Sequence, residues 1–231
     1  MRRIEKERYI AAGVVTAFIF LMGMFLGLVV DIQKVNYAER IMQKQDVEFE
    51  SLQLQYLYLQ YLPNRDVCPV IGRILENNLK TLQPILEKLI EYEESNKKEG
   101  EEYELLKRKY TLANIRYFIL AEKSRKECDA DIVTVLYFYD KSCDVCPTQG
   151  FILSHIKSIL QERFLVFPFD ASYEKEPMIS VLVTQYNVTV FPTLVINGRE
   201  KVEGFRTEKE VLEVVCPLYK TKPEICEGVE E

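Results

Sequence analysis

The chain has 231 residues, a formal net charge of −6 and a single histidine. The acidic balance, with no long basic stripe, excludes a nucleic-acid-binding protein. Hydrophobic residues at 48% and the lack of a low-complexity tract exclude a disordered chain, and the length suffices for two modest domains.

Residues 1–8 form a charged head with Arg2, Arg3, Lys6 and Arg8. Residues 9–30 then carry no charge, and those 22 residues would form a helix of about 33 Å. A bilayer core is about 30 Å thick, so the stretch predicts a transmembrane helix and a single-pass membrane protein. The run is long for a signal peptide, and no small-x-small cleavage site follows before Asp31. Lys34, Arg40 and Lys44 after the span are more thinly spread than the basic residues before it. That bias places the head in the cytoplasm and every later domain outside. Gly23 and Gly27 have the spacing of a helix-pairing face, which chance also supplies.

From Asp31 to Leu62 a stripe runs through Val35, Ala38, Met42, Gln45, Phe49, Leu52, Tyr56 and Leu59, in alternating steps of three and four. This is a heptad pattern. Residues 63–66 break it, and Asp66 is placed to cap the next helix. A second helix shows Ile71, Leu75, Leu79, Leu82, Leu86 and Leu89, with a kink expected at Pro84. Residues 95–100 read as a turn, and a third helix follows with Tyr103, Leu106, Tyr110, Ala113, Tyr117 and Leu120. Three striped helices on short loops predict an all-α stalk or bundle over 31–128. The first stripe can bury against the other two helices, or against a second copy in a homodimeric coiled coil.

Residues 131–139 are β-branched, aromatic and almost continuously apolar, as a strand buried on both faces requires. Cys143-Asp144-Val145-Cys146 follows, and then a helical pattern through Ile152, Ile156, Ile159 and Leu160. The cysteines therefore sit at a strand-to-helix junction, where the helix N-terminus favours a thiolate. Two intervening residues let the second thiol attack a mixed disulfide made by the first. Half a zinc site has the same spacing, but no second Cys-x-x-Cys and no His pair exists to complete it. No metal or organic cofactor is implied.

Further on come a strand at 164–169, a helix at 176–186, and Phe191-Pro192-Thr193 opening a strand that ends at Asn197-Gly198. A hairpin partner over 201–205 and a helix over 208–215 close the series. This order, with Cys143, Cys146, Phe191-Pro192-Thr193, Asn197-Gly198 and Gly204, resembles the thioredoxin family over residues 129–219. The resemblance implies a mixed sheet with flanking helices. It implies that Cys143 is the exposed nucleophile and Cys146 the buried resolving thiol. It also makes Pro192 a cis-proline facing the disulfide, with Phe191 offering backbone groups to an extended substrate. The family's buried carboxylate, six residues before the first cysteine, is replaced here by Tyr137, and Asp144 adds a negative charge between the thiols.

The other cysteines are Cys68, Cys128, Cys216 and Cys226. Six cysteines allow fifteen connectivities; the expected one pairs Cys216 with Cys226 by local separation and leaves Cys68 for Cys128, as structural disulfides, with reduced, buried thiols as the alternative. An even count fits an oxidising compartment. His155 lies about three turns beyond Cys143, too far for a Cys–His dyad. Asn187-Val188-Thr189 matches a glycosylation acceptor in a strand region, and residues 220–231 read as a tail.

The sequence thus predicts a thioredoxin-like α/β domain behind a transmembrane helix and a helical stalk. Its expected activity is thiol–disulfide exchange on extracytoplasmic protein clients, in the oxidase or isomerase direction, reset by a membrane redox partner. The alternative is a redox-inactive scaffold with a structural disulfide.

Overall fold

The computed structural model describes residues 6–95 and 100–228; the side chains of residues 6–8, 26–42, 45, 64 and 65 lie outside the description. The chain divides into two compact units, 1–61 and 62–231.

The first unit is one helix, α1 (Lys6–Tyr61). Of the heptad stripe, Phe49, Leu52, Tyr56 and Leu59 fall on described side chains, whereas Val35, Ala38, Met42 and Gln45 do not, nor does Gly27. The transmembrane helix expected over 9–30 is not upheld. Among the described residues, no helix is long and apolar enough to cross a membrane. The single-pass anchoring falls with it. So do the cytoplasmic head and the extracytoplasmic placement of the later domains, since both were derived from that span.

The second unit opens with two helices, α2 (Asn64–Glu94) and α3 (Glu101–Glu127). Pro63 is the N-cap of α2 and makes no side-chain cap; Asp66 lies inside the first turn instead of capping it. Helix α2 runs through Pro69 and Pro84 without ending. Of the turn expected at 95–100, residues 96–99 lie outside the described residues. Cys68, near the start of α2, is bonded to Cys128, the C-cap of α3, so the two helices form an antiparallel hairpin closed at its open end. Glu101, Glu102 and Glu104 in the first turn of α3, and Arg125 and Lys126 in its last, match the helix dipole.

Four strands follow: β1 (Val133–Tyr139), β2 (Phe164–Asp170), β3 (Thr193–Ile196) and β4 (Glu200–Glu203). The sheet order is β2-β1-β3-β4. Strand β1 pairs in parallel with β2 and antiparallel with β3, and β3 pairs antiparallel with β4. The unbroken apolar run makes β1 the central strand, buried on both sides. Pro168 sits in β2, an edge strand, where its missing N–H breaks no inner ladder. The other edge, β4, shows Glu200, Lys201 and Glu203, charges that discourage further strand pairing. Asn197 and Gly198, with φ +52° and +65°, make the tight β3–β4 turn.

Helices lie on both faces of the sheet. On one, Val133, Val135 and Tyr137 of β1 pack with α4 (Cys146–Leu160) and α6 (Glu208–Val215) through Leu153, Ile156, Val211 and Val215. On the other, Leu136 and Phe138 pack with Phe167 and Phe169, with α5 (Pro177–Gln185) and with Ile115, Phe118 and Ala121 of α3. Burying one such phenylalanine contributes about 1.5–3 kcal/mol. Helix α3 is therefore a layer of the sheet as well as half of the hairpin. The four-stranded mixed sheet with flanking helices is consistent with a thioredoxin-like fold.

Local signals set the helix starts. Helix α5 begins at Pro177 behind Glu176, whose side chain accepts the N–H of Met178 at 3.1 Å. Helix α6 has a full capping box between Thr207 and Glu210. Cys216 and Cys226 are bonded to each other and buried in the α4–α6 cluster, so the first part of the tail belongs to the core. Asn187 stands in an exposed turn after α5 with φ +47°, not in a strand.

Candidate active site at the Cys143–Cys146 disulfide

Strand β1 ends at Tyr139 and the chain turns sharply. The Asp140 carboxylate accepts the N–H of Ser142 at 2.8 Å and its hydroxyl as well. These bonds hold the carboxyl of Asp140 below the usual carboxylate range, the Ser142 hydroxyl contributing most. The N–H of Cys143 donates to the Asp140 carbonyl at 3.2 Å, and the N–H of Cys146 to the Cys143 carbonyl at 3.3 Å. Cys143 and Cys146 are joined in a disulfide with Cα atoms 5.4 Å apart.

The two sulfurs are not equivalent. Cys143 is partly exposed, whereas Cys146 is 2% exposed. Cys146 is the first residue of α4, and Val145 before it provides no side-chain cap. The first turn holds no acidic residue, and Pro147 has no N–H. The partial positive charge of this terminus is therefore not met by a capping side chain and acts on the adjoining sulfur.

Tyr137 lies beneath. Its phenol donates to the carbonyl of Cys146 at 2.5 Å, and burial pushes its pKa up to about 12. A cleft of about 300 Å³ opens beside the disulfide, lined by Tyr137, Tyr139, Lys141, Cys143, Cys146 and Pro147. A second cleft of about 400 Å³ shares Tyr139 and Lys141 with it and reaches Tyr103, Lys107 and Tyr110 of α3 and Asp170 of β2. Asp170 is 5% exposed and bonded to Lys107 at 2.6 Å. Its own burial opposes ionisation, but Lys107 and Ser172 together hold its carboxyl below the ordinary value. Burial first, then the Asp170 charge, pushes the Tyr139 phenol up.

The Phe191–Pro192 peptide is cis. Thr193 pairs with Phe138, so Pro192 stands at the end of the sheet where β1 stops, the same end that carries Cys143. The Phe191 side chain packs into the core on the α3–α5 side. Cys68–Cys128 and Cys216–Cys226 lie apart, closing the helical hairpin and the C-terminal turn. His155 is exposed, 3.8 Å from Glu208, with no part in the site. Among the described residues, no cluster of metal-ligating side chains occurs.

Sequence reasoning missed Lys107 and Asp170. Asp170 carried a signal, a lone carboxylate ending an apolar strand. Lys107 carried none, because only the packing of α3 on the sheet brings it in.

Among solved structures, the chain is similar to a malarial protein (17% identity over 39% of this chain and 99% of the other, TM-score 0.33). It is also similar to a thioredoxin mutant from Halobacterium salinarum NRC-1 (23% identity, 41% and 80%, TM-score 0.34). A third is a chloroplastic thioredoxin z (18% identity, 42% and 88%, TM-score 0.34). No protein-family model and no curated protein matches the sequence.

Proposed function

We propose that this protein is a thiol–disulfide oxidoreductase acting on cysteines of protein clients through Cys143 and Cys146. The observation that carries the reading is the asymmetry of the pair. A partly exposed Cys143 is bonded to a buried Cys146 at a helix start without a side-chain cap, at the same sheet end as the cis Phe191–Pro192 peptide.

A client thiolate attacks the Sγ of Cys143, and Cys146 leaves as a thiolate. A second client thiolate then attacks the client sulfur of the mixed disulfide, and Cys143 leaves as a thiolate. The client is oxidised by two electrons and the pair reduced, so a disulfide-bearing partner must restore it. The dipole at α4 favours the Cys143 thiolate and thus the reduced pair, which makes disulfide donation or isomerisation the preferred direction, against the nearby charge of Asp144. Backbone groups at Phe191, beside the cis-proline Pro192, would hold the client strand.

The second reading is a redox-inactive scaffold, favoured by Tyr137 standing where a proton-accepting carboxylate is expected. The reduction potential of the pair, equilibrated against glutathione with mapped thiol labelling, separates the two. A value of about −200 mV or above supports donation. A pair resisting reduction below about −300 mV, with no mixed disulfide trapped by Cys146→Ser, leaves the scaffold.

A further inference from the structure

One buried side chain ties the helix that carries the disulfide to the chain beyond β4. Gln149 stands about one turn after Cys146 on α4 and is fully buried. Its Oε1 accepts the backbone N–H of Arg206 at 2.7 Å. Two residues earlier, the N–H of Gly204 donates to the carbonyl of Pro192 at 2.8 Å. Two hydrogen bonds thus join three segments: the disulfide helix, the turn at 204–206 and the cis-proline peptide.

The amide is only half satisfied. Gln149 Nε2 has no hydrogen-bond partner among the described residues. Burying an unpaired amide donor is unfavourable; a leucine of similar size would avoid that cost but would leave the Arg206 N–H without its acceptor. What the amide offers, and an apolar side chain does not, is an acceptor aimed at Arg206. Gly204, with φ +80°, lets the backbone reverse just before it. Phe205 is left between two anchored residues, 39% exposed, and Val145 and Val190 are exposed as well.

We propose that Gln149 is a positioning residue. Through Arg206 it holds the 204–206 turn against the disulfide helix and so sets the edge along which a client chain lies when its sulfur reaches Cys143. The inference rests on the proposed exchange reaction, and the exposed Phe205, Val145 and Val190 fit apolar residues flanking the client cysteine. Gln149 touches neither sulfur nor client.

The test uses the full chain and two thiol probes, a short synthetic peptide with one central cysteine between apolar residues, and glutathione. Loss of one hydrogen bond predicts that Gln149→Leu raises KM for the peptide about tenfold while changing kcat and the glutathione rate by less than about twofold. Gln149→Glu keeps an acceptor for the Arg206 N–H and should hold the peptide KM within about threefold of the parent. Gln149→Met, which keeps the length and loses the acceptor, replaces the leucine variant if that one does not fold. A peptide KM unchanged in the variant lacking the acceptor overturns the inference, as does an equal loss with both probes, which marks a merely structural role. A parent chain inert to both probes overturns the exchange reading and this inference together.

Discussion

The phenol of Tyr137 donates to the carbonyl of Cys146 at 2.5 Å, directly under the disulfide. With its pKa pushed up to about 12 by burial, the phenol stays protonated at neutral pH and is no base for the Cys146 thiol. Replacing it with a carboxylate should supply one. Tyr137→Asp is expected to speed resolution of the Cys143 mixed disulfide by about tenfold or more, while Tyr137→Phe only lowers stability by about 1 kcal/mol. Stopped-flow decay of a preformed mixed disulfide, beside denaturant unfolding, reads both. Equal rates in the Asp variant and the parent would show that proton removal from Cys146 does not limit the step.

The unequal exposure of the two sulfurs makes a directional forecast. Cys146→Ser should accumulate a mixed disulfide through Cys143, and Cys143→Ser should accumulate none and lose exchange entirely. Mass spectrometry of the trapped species decides it. Adducts on Cys146 in the Cys143→Ser chain would reverse the assigned roles.

Asp170 links α3 to the edge strand and gives the fold an acid-sensitive contact. Its carboxyl titrates below its unfolded value, with burial opposing the shift and Lys107 and Ser172 outweighing it. The stability it contributes is therefore fully present above about pH 4 and is lost as pH falls through the lowered folded value. Asp170→Asn should cost about 3 kcal/mol at neutral pH, because Lys107 loses a buried partner. The same variant should flatten the pH dependence of unfolding below about pH 4. A parallel pH profile for parent and variant would assign the acid sensitivity elsewhere.

The bond between Cys68 and Cys128 spans 60 residues and clamps the open end of the hairpin. Chain entropy gives a loop of that size about 4 kcal/mol. Replacing both cysteines with alanine should lower the unfolding free energy by about 2–4 kcal/mol while leaving the Cys143–Cys146 potential within about 15 mV of the parent. A larger shift in potential would mean that the hairpin reports on the active disulfide.

Because α3 covers one face of the sheet, a fragment starting at residue 129 should lack a closed core. Phe167 makes edge contacts with Tyr117 and Phe118, both of which such a fragment omits. It should unfold without a sharp cooperative transition, whereas a fragment from residue 62 should retain one. In the longer fragment, Phe118→Ala should cost about 3–5 kcal/mol. Cooperative unfolding of the shorter fragment would show that the sheet closes its core without α3.

Much of the site could be read along the chain, because its parts are consecutive. An unbroken apolar run implies a strand buried on both faces, and β1 is central. Cys-x-x-Cys between a strand and a helix implies sulfurs at a helix start, and α4 begins at Cys146. Phe191-Pro192 and the Asn197-Gly198 turn are local chemistry, fixed by residues within a few positions of each other. Lys107, Asp170, Gln149 and Arg206 had no such mark. Lys107 meets Asp170 across 63 positions and Gln149 meets Arg206 across 57, and those separations close only when helices dock on the sheet. The apolar stretch at 9–30 shows the opposite error, where composition predicted a span and the described helix did not uphold it. Sequence alone determined the strand, the cysteine pair and the turns, since backbone preference and hydrophobic period act locally. Tertiary structure decided which face of α3 the sheet buries and which buried amide braces the site, because burial depends on what the rest of the chain brings alongside.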